Sequence, residues 1–555
     1  MRKPINRRAF LRLAGAAALT GAIGAVEGCT NTSPNSSRTP SPGVSATTSG
    51  PTTTTTSPTS SAPPSVSTSA QPTAAEIADL DALAKSLGDR LLRTADRGYL
   101  AAAQLYSTRF DGVRPIAIAR CASADDVKRC LEFVRTTGTP VAARSGGHSY
   151  AGYSTTSGLV IDVGPMKQVE RGASANTARV GAGATLIDVY SGLAAVNQGV
   201  PGGSCPSVGI TGSTLGGGIG VVGRKYGLSC DALTAVELVT ADGNSIRCSE
   251  SSEPDLFWAH RGGGGGNFGI VTALEFRTHP TRSLTRFLLR WDWAHANAVV
   301  AAWQQWMPAT PNELWSNLHL DGAGSASDQA HIYVSGVYVG APGLLQPLLD
   351  QLQAAARAPM TTRFVKEDSY LRTMFVEAGC ATLSDDACHE PNAVPGGKLG
   401  RETNAARSDF VAKPLTGAGI DVLLNAIEGR RRLGLPGGSV LFDAYGGAIN
   451  AVAPADTAFV NRDTIGCLQY VAPWPAGAPA ATVQANQSWL DALYSAMRPH
   501  VSGFAYLNYI DSNLSAWQHA YYGANLDRLV SVKAAADPAD LFAFKQGVPT
   551  HLPSP

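Results

Sequence analysis

The sequence predicts an α+β fold divided into more than one domain, and three observations carry that reading. The chain has 555 residues, too many for one hydrophobic core. Between about residues 115 and 162, short apolar runs flank one amphipathic helical pattern. From about Arg282 the glycine-rich stretches cease, tryptophans become frequent, and strand patterns alternate with longer helical ones.

In chain order, the first element is a targeting segment, residues 1–29. Asn6-Arg7-Arg8-Ala9-Phe10-Leu11 reads as a twin-arginine export signal, and Leu13–Val26 adds an apolar region too short and weak to span a bilayer. Val26-Glu27-Gly28-Cys29 resembles a lipoprotein cleavage box in which Cys29 would carry the lipid and anchor the protein to a membrane. The competing reading is an ordinary cleaved signal with Cys29 incidental. Residues 30–73 are mostly Ser, Thr and Pro without apolar periodicity, so they bury too little surface to offset their ordering entropy. Such a stretch reaches roughly 35–40 Å as a coil. It reads as a tether for an extracytoplasmic globular part.

Globular sequence begins near Ala74. Ile77, Leu80, Leu83 and Leu87 recur at helical spacing. Pro115–Ala119 reads as a strand, Asp125–Thr136 as a helix with Val127, Leu131 and Val134 on one face, and Pro140–Ala143 and Leu159–Asp162 as further strands. Val236–Val239 and Ser245–Arg247, joined through Asp242-Gly243, form a hairpin signal. Ile270–Phe276 reads as a strand. Beyond Arg282, strand-like Phe287–Trp291, His331–Val339 and Val440–Tyr445 alternate with helical Ala294–Trp306, Leu344–Ala356 and Ala485–Arg498. The tryptophans here read mainly as core, with one or two available as a platform for a sugar or ring system.

Net charge is +1 with no basic stripe, which argues against nucleic acid as a partner. No Cys/His group has zinc spacing, so no metal is expected. Cys380 and Cys388 flank a short polar loop and are the best disulfide pair.

Two glycine-rich stretches carry the chemistry. The first, Arg144-Ser145-Gly146-Gly147-His148-Ser149-Tyr150, follows a strand. Adjacent glycines let the backbone turn tightly and present N–H groups to something held close. The second runs from Gly202 to Gly220 through Cys205-Pro206-Ser207-Val208-Gly209, Thr211-Gly212 and Leu215-Gly216-Gly217-Gly218-Ile219-Gly220. Gly218-x-Gly220-x-x-Gly223 and Gly264-x-Gly266-x-x-Gly269 match the dinucleotide fingerprint literally. That fingerprint needs a strand before the glycines and a helix opening at them. Here Ser, Gly and Pro precede the first match and Tyr226-Gly227 interrupts any helix after it. A Rossmann site is therefore not expected. What remains is a long loop whose bare backbone can lie against a large flat or anionic ligand.

With these residues in view, the chain resembles the berberine bridge enzyme-like flavoprotein oxidases. These fall within the vanillyl-alcohol oxidase group that carries a p-cresol methylhydroxylase-type FAD domain. The matching pieces are Arg144–Tyr150, Cys205–Gly209, Leu215–Gly220, Tyr226-Gly227-Leu228 with Asp231, and Asp255-Leu256-Phe257-Trp258 running into Arg261–Thr272. Near the end, Tyr506–Asp511 and Asp537-Pro538 with Phe542–Gln546 look like closing motifs. The resemblance implies a two-subdomain FAD-binding domain at 74–281 and a substrate domain at 282–503, an antiparallel sheet covered by helices. Residues 504–555 would return to the FAD domain.

It also implies FAD attached twice, His148 to the flavin 8α-methyl carbon and Cys205 to C6, as a neutral nitrogen and a thiolate can do. Arg144, Ser145, Gly146, Gly147, Ser149, Val208, Gly209, Thr211, Gly212, Gly216, Gly220, Ile270, Val271 and Asn508 would complete the cofactor site. The chemistry implied is oxidation of an alcohol or sugar hemiacetal, by proton removal and hydride transfer to flavin N5, with O2 reduced to H2O2. The base would be Tyr509 or Tyr506, with Tyr509 favoured; Asp443 would assist it and Tyr150 would flank the substrate. Val208 stands where oxidases of this family admit O2. An oligosaccharide is the favoured substrate. A secondary-metabolite tailoring enzyme, a flavin dehydrogenase and, more distantly, a lipid-anchored binding protein are the alternatives.

Overall fold

Strand Leu91–Arg93 (β1) lies antiparallel to Ala117–Arg120 (β2), and β2 then pairs in parallel with Leu159–Asp162 (β4), which pairs in parallel with Val141–Arg144 (β3). The structure is a computed structural model, and it describes residues 74–325, 328–390, 397 and 399–552. The expected export signal, tether and lipidation site at Cys29 lie outside the described residues. The crossover from β2 to β3 is the helix Ala124–Thr137. Ser123 starts it by accepting a hydrogen bond from the Asp126 amide, and Gly138 ends it with φ +69°. Val127, Leu131 and Val134 are buried on the face the sequence marked. The first helix spans Ala74–Leu87 and buries Leu83 and Leu87.

A second sheet holds Val169–Arg171 (β5), Thr177–Gly181 (β6), Leu233–Val239 (β8), Ser245–Ser249 (β9) and Ile270–Arg277 (β10), in the order β5-β6-β10-β8-β9. All its pairs are antiparallel. β8 and β9 are the anticipated hairpin, turning through Gly243 at φ +89°. Gln198–Gly199 (β7) and His279–Pro280 (β11) form a separate two-stranded pair.

The third sheet has seven strands, all antiparallel: Leu284–Trp291 (β12), Leu314–Asp321 (β13), His331–Tyr338 (β14), Met360–Asp368 (β15), Asn404–Val411 (β16), Ser439–Ala444 (β17) and Gly466–Pro473 (β18). Their order is β15-β12-β14-β13-β17-β18-β16. Helices Ala296–Trp306, Pro342–Ala356, Gly417–Arg432 and Ala480–Met497 accompany it. Alternation along the strands sorts the side chains. Phe442 and Leu468 join the apolar core shared with these helices, where Trp303 packs on Phe442 at 4.8 Å between ring centres. Asn317, Asp443 and Gln469 fall on the opposite face. The architecture is the α+β arrangement expected, with an antiparallel sheet covered by helices.

Trp291, Trp303, Trp306 and Trp315 are buried and Trp293 packs against the same core. None lines the cavity described below, so hydrophobic packing accounts for all five. Cys380 and Cys388 are joined by a disulfide.

Both fingerprint matches sit in the wrong context for a Rossmann site. Gly223–Tyr226 is a four-residue helix stopped by Gly227 at φ +87°. Gly264–Gly269 is preceded by a helix, Pro254–Ala259, and followed by β10, the reverse of the required order.

Candidate active site

The two glycine stretches meet. The loop after β3 and the loop after Cys205 approach so closely that a Cβ on Gly146 would collide with the Gly209 amide nitrogen and the Ser207 carbonyl. Gly147 adopts φ +70°, which turns the chain back toward Tyr106 and points the next residue at the second loop. The contact is pinned by side chains. Ser145 Oγ and Thr211 Oγ1 donate to the same carbonyl, Ala182, at 2.7 and 2.8 Å. His148 Nε2 and Ser207 Oγ are 2.8 Å apart, and the imidazole stacks on Tyr106 with ring centres 3.9 Å apart. Burial pushes the His148 pKa down to about 3, so the ring is neutral and one of its two nitrogens carries a lone pair available as nucleophile or acceptor.

Together these loops wall a cavity of about 430 Å³. Of the residues picked from sequence, Arg144–Tyr150, Cys205, Val208, Gly209, Thr211, Gly212, Ile270, Val271, Tyr506, Asn508 and Tyr509 line it. Gly216, Gly220 and Asp443 are not on its wall. Gly220 lies against the Gly202 carbonyl and Gly216 against the Asn508 side chain, close approaches that leave no room for a Cβ. Wall residues not picked as site residues include Tyr106, the Gly264–Gly266 turn, and Phe542–Phe544 with Gln546. The last two lie in motifs visible in the sequence. Tyr106 is a lone tyrosine about forty residues before His148, and only the fold brings it to the ring.

The C-terminal wall is held by buried polar contacts. Asp537, fully buried, accepts from Lys533 Nζ and from the Leu541 and Phe542 amides. Lys533 Nζ also donates to the Asn267 carbonyl, and Asn267 Oδ1 accepts from the Val548 amide. Asp231 has a comparable part. It accepts from the Leu228 amide and receives both arms of the Arg462 guanidinium at 2.9 and 2.6 Å. That pair ties the glycine-rich loop region to the segment between β17 and β18.

At the far end of the cavity the tyrosines separate. Tyr506 oxygen accepts from the Gly218 amide at 3.0 Å, the Ile219 amide at 3.1 Å and Asn508 Nδ2 at 2.8 Å. An oxygen engaged by three donors is a lock, poorly placed to take a proton from anything else. Tyr509 instead donates to Asp443 Oδ2 at 3.5 Å, a length that substrate binding commonly tightens. Its ring stacks on Tyr150 at 5.7 Å and meets Tyr506 edge-on at 4.9 Å. Tyr150 oxygen accepts from Gln469 Nε2 at 3.0 Å. Asp443 is buried on β17. Burial raises its pKa to about 7, and hydrogen bonds from Asn317 and Tyr509 restrain the rise. A carboxyl titrating near neutrality beside a phenol can pass a proton in either direction.

The wall suits FAD. Gly212, Gly265 and Gly266 line the cavity where a side chain would meet little or no protein, so their bare backbone admits a flat ring system and phosphate oxygens at close range. Arg144 is buried, donating to the Ser154 and Ala102 carbonyls, while its Nη2 has no protein partner. A buried guanidinium nitrogen left over at a cavity wall is suited to a ligand's oxygen. Among the described residues no cluster of His, Cys, Asp and Glu could hold a metal.

A fold of this kind around such a cavity defines a flavin-dependent oxidoreductase. Comparison with known proteins agrees: the family model described as FAD binding domain matches residues 115–249, and the one described as Berberine and berberine like matches residues 505–549. YgaK of Bacillus subtilis, named an uncharacterized FAD-linked oxidoreductase, is 34% identical over 440 residues, spanning 78% of this chain and 91% of the relative. The solved structure of Physcomitrella patens BBE-like 1 is 30% identical with a TM-score of 0.77, covering 85% of this chain and 99% of that one. Chitooligosaccharide oxidase aligns with a TM-score of 0.75 at 25% identity, over the same shares of the two chains. The chain belongs to the berberine bridge enzyme-like family of FAD-linked oxidoreductases.

Proposed function

We propose that the protein oxidises an oligosaccharide at a hemiacetal or alcohol carbon, using FAD bonded to both His148 and Cys205. The observation that carries this reading is Tyr509, backed by Asp443, standing on one wall of a cavity whose other walls include the His148 and Cys205 loops. FAD, when bound, supplies the hydride acceptor at N5 and returns the electrons to O2 as H2O2. Tyr509 takes the substrate hydroxyl proton and passes its own to Asp443, whose value near neutrality suits it to that exchange. Tyr150, stacked on Tyr509, flanks the reacting carbon and holds the phenol in place. The neutral His148 imidazole, steadied by Ser207 and Tyr106, is the nitrogen tether, and Cys205 on the same wall is the sulfur tether.

Val208, on the cavity wall beside this anchor, supports O2 as the final acceptor. Chitooligosaccharide oxidase shares the fold over 85% of this chain, which supports a saccharide as substrate. The twin-arginine and Cys29 segment supports export and lipid anchoring outside the cytoplasm.

The test has three parts. Acid-precipitated protein should give a yellow pellet, and peptide masses should show flavin on both the His148 and the Cys205 peptides. A panel of reducing oligosaccharides should release H2O2. A colourless pellet removes the double attachment, and a panel without peroxide removes the saccharide oxidase.

A further inference from the structure

The seven-stranded sheet places two more polar side chains in line with Asp443. We propose that Asn317, held in one orientation by Ser335, is a positioning residue for the Asp443 carboxylate, so that the Tyr509–Asp443 pair is the end of a polar chain crossing three strands. The proposal rests on Asp443 being the partner of the base, but its primary test needs no turnover.

The register sets the chain. On β13, Asn317 is directly opposite Asp443 of β17 on one side and Ser335 of β14 on the other. Directly paired residues in an antiparallel sheet project to the same face with their Cβ atoms about 4.5–5.5 Å apart. All three side chains therefore stand in one row, away from the helices. Asn317 is fully buried and Asp443 nearly so.

Ser335 Oγ donates to Asn317 Oδ1 at 2.6 Å. A carboxamide has an accepting end and a donating end. With the accepting end engaged by the hydroxyl, the donating Nδ2 turns to Asp443. Asn317 Nδ2 and Asp443 Oδ1 are both buried, and each is left without a hydrogen-bond partner within the usual distance. A lone donor and a lone acceptor on directly paired residues are complementary. Asp443 Oδ2 is then left for Tyr509.

The consequence lies in which form of the carboxyl is favoured. An amide N–H toward Asp443 stabilises the ionised carboxylate, which is the form that can accept the proton from Tyr509. A reversed amide would present a carbonyl, favour the protonated acid and silence the pair. The Ser335 hydroxyl is thus the latch that keeps the amide the right way round. The groups facing Asp443 are otherwise neutral: Tyr509 from the C-terminal segment, Cys467 opposite it on β18, and Tyr445 two residues along. Burial sets its value near 7, and the donors Asn317 and Tyr509 keep it from rising further.

Infrared titration of the holoenzyme tests the proposal. The protonated-carboxyl band of Asp443, assigned by its loss in Asp443→Asn, should titrate with a midpoint of about 7 in the unaltered protein. In Asn317→Leu the midpoint should move up by about one pH unit, the size expected from losing one hydrogen bond to a charged group. Ser335→Ala should shift it in the same direction by less, and Ser335→Thr, which keeps the hydroxyl, should restore it. A midpoint in Asn317→Leu within about 0.3 unit of the parent overturns the proposal. If Asn317→Leu does not fold, the Ser335→Ala and Ser335→Thr pair decides: equal midpoints in both refute the latch. Anaerobic flavin reduction by cellobiose and chitobiose across pH should show the same displacement in its acid limb. A shifted band with no reduction by any sugar leaves the positioning role standing and removes the saccharide reading instead.

Discussion

One oxygen atom removed from either of two tyrosines in the same motif should give opposite defects. Tyr506→Phe deletes the acceptor shared by the Gly218 and Ile219 amides, while Asn508 Nδ2 keeps its second bond, to the Ser213 carbonyl. Two buried amides without partners cost roughly 1–3 kcal/mol each, so the loss is about 2–6 kcal/mol. With an unfolding entropy of about 2.1 cal/mol/K per residue, a folded body of about 480 residues loses stability at roughly 1 kcal/mol per degree. The melting temperature should fall by about 2–6 °C. Flavin reduction should slow by less than about tenfold, because no proton-transfer group is lost.

Tyr509→Phe removes the 3.5 Å hydrogen bond to Asp443, worth under about 1 kcal/mol, and should leave the melting temperature within about a degree of the parent. Its flavin reduction should slow by about 10²–10⁴-fold, the usual contribution of a positioned base. Differential scanning calorimetry of both variants, with anaerobic stopped-flow reduction by an active sugar, reads the two effects separately. A Tyr506→Phe enzyme that keeps its melting temperature but loses turnover, beside a Tyr509→Phe enzyme that keeps turnover, would refute the assignment.

Further outcomes follow from other parts of the site. Gly146→Ala forces a methyl into the Gly209 backbone and should cost about 1–3 kcal/mol and most of the bound flavin, whereas Gly212→Ala, with no protein atom within 4 Å of the new methyl, should leave the melting temperature of the flavin-free protein unchanged. Calorimetry of flavin-free protein and absorbance at the flavin band separate the two. Arg462→Leu strands Asp231, which is nearly buried, and should cost about 3–5 kcal/mol in chemical denaturation. Flavin reduction should rise with pH up to about 7 and level off above, because Asp443 acts as the carboxylate; Asp443→Asn should remove that limb. The stability contribution of Asp443 runs the other way. Its folded value is raised, so the folded chain binds this proton more tightly than the unfolded one between about pH 4 and 7, and that stabilisation is lost as pH rises through 7.

Local signals were legible where the chain decides its own conformation. Helix Ala124–Thr137, the Asp242-Gly243 hairpin and the Cys380–Cys388 bridge all follow from caps, turn residues or spacing near at hand. The two glycine stretches were visible as ligand loops, and the fingerprint was rightly set aside on its missing strand and helix. Strands β13, β16 and β18 were missed. They are buried almost throughout, so their burial does not alternate along the chain, and the polar residues of the site face interrupt their apolar runs. Asn317 and Gln469 were invisible for the same reason: each is one polar residue within a buried strand until the register sets it beside Asp443 or Tyr150. The different surroundings of Tyr506 and Tyr509 also needed coordinates, because only the fold brings three donors to the Tyr506 oxygen.

The placement of the tyrosine pair late in the chain has a consequence during synthesis. The two loops that cradle the ligand are made within the first 220 residues, but the phenol that completes the reactive end comes about fifty residues before the terminus. Chains fold as they emerge, earlier parts first. Until the segment from Tyr506 onward emerges, the cavity lacks its Tyr506–Tyr509 and Phe542–Phe544 walls and Asp443 lacks the Tyr509 hydroxyl, so an unfinished chain holds an open, incomplete site.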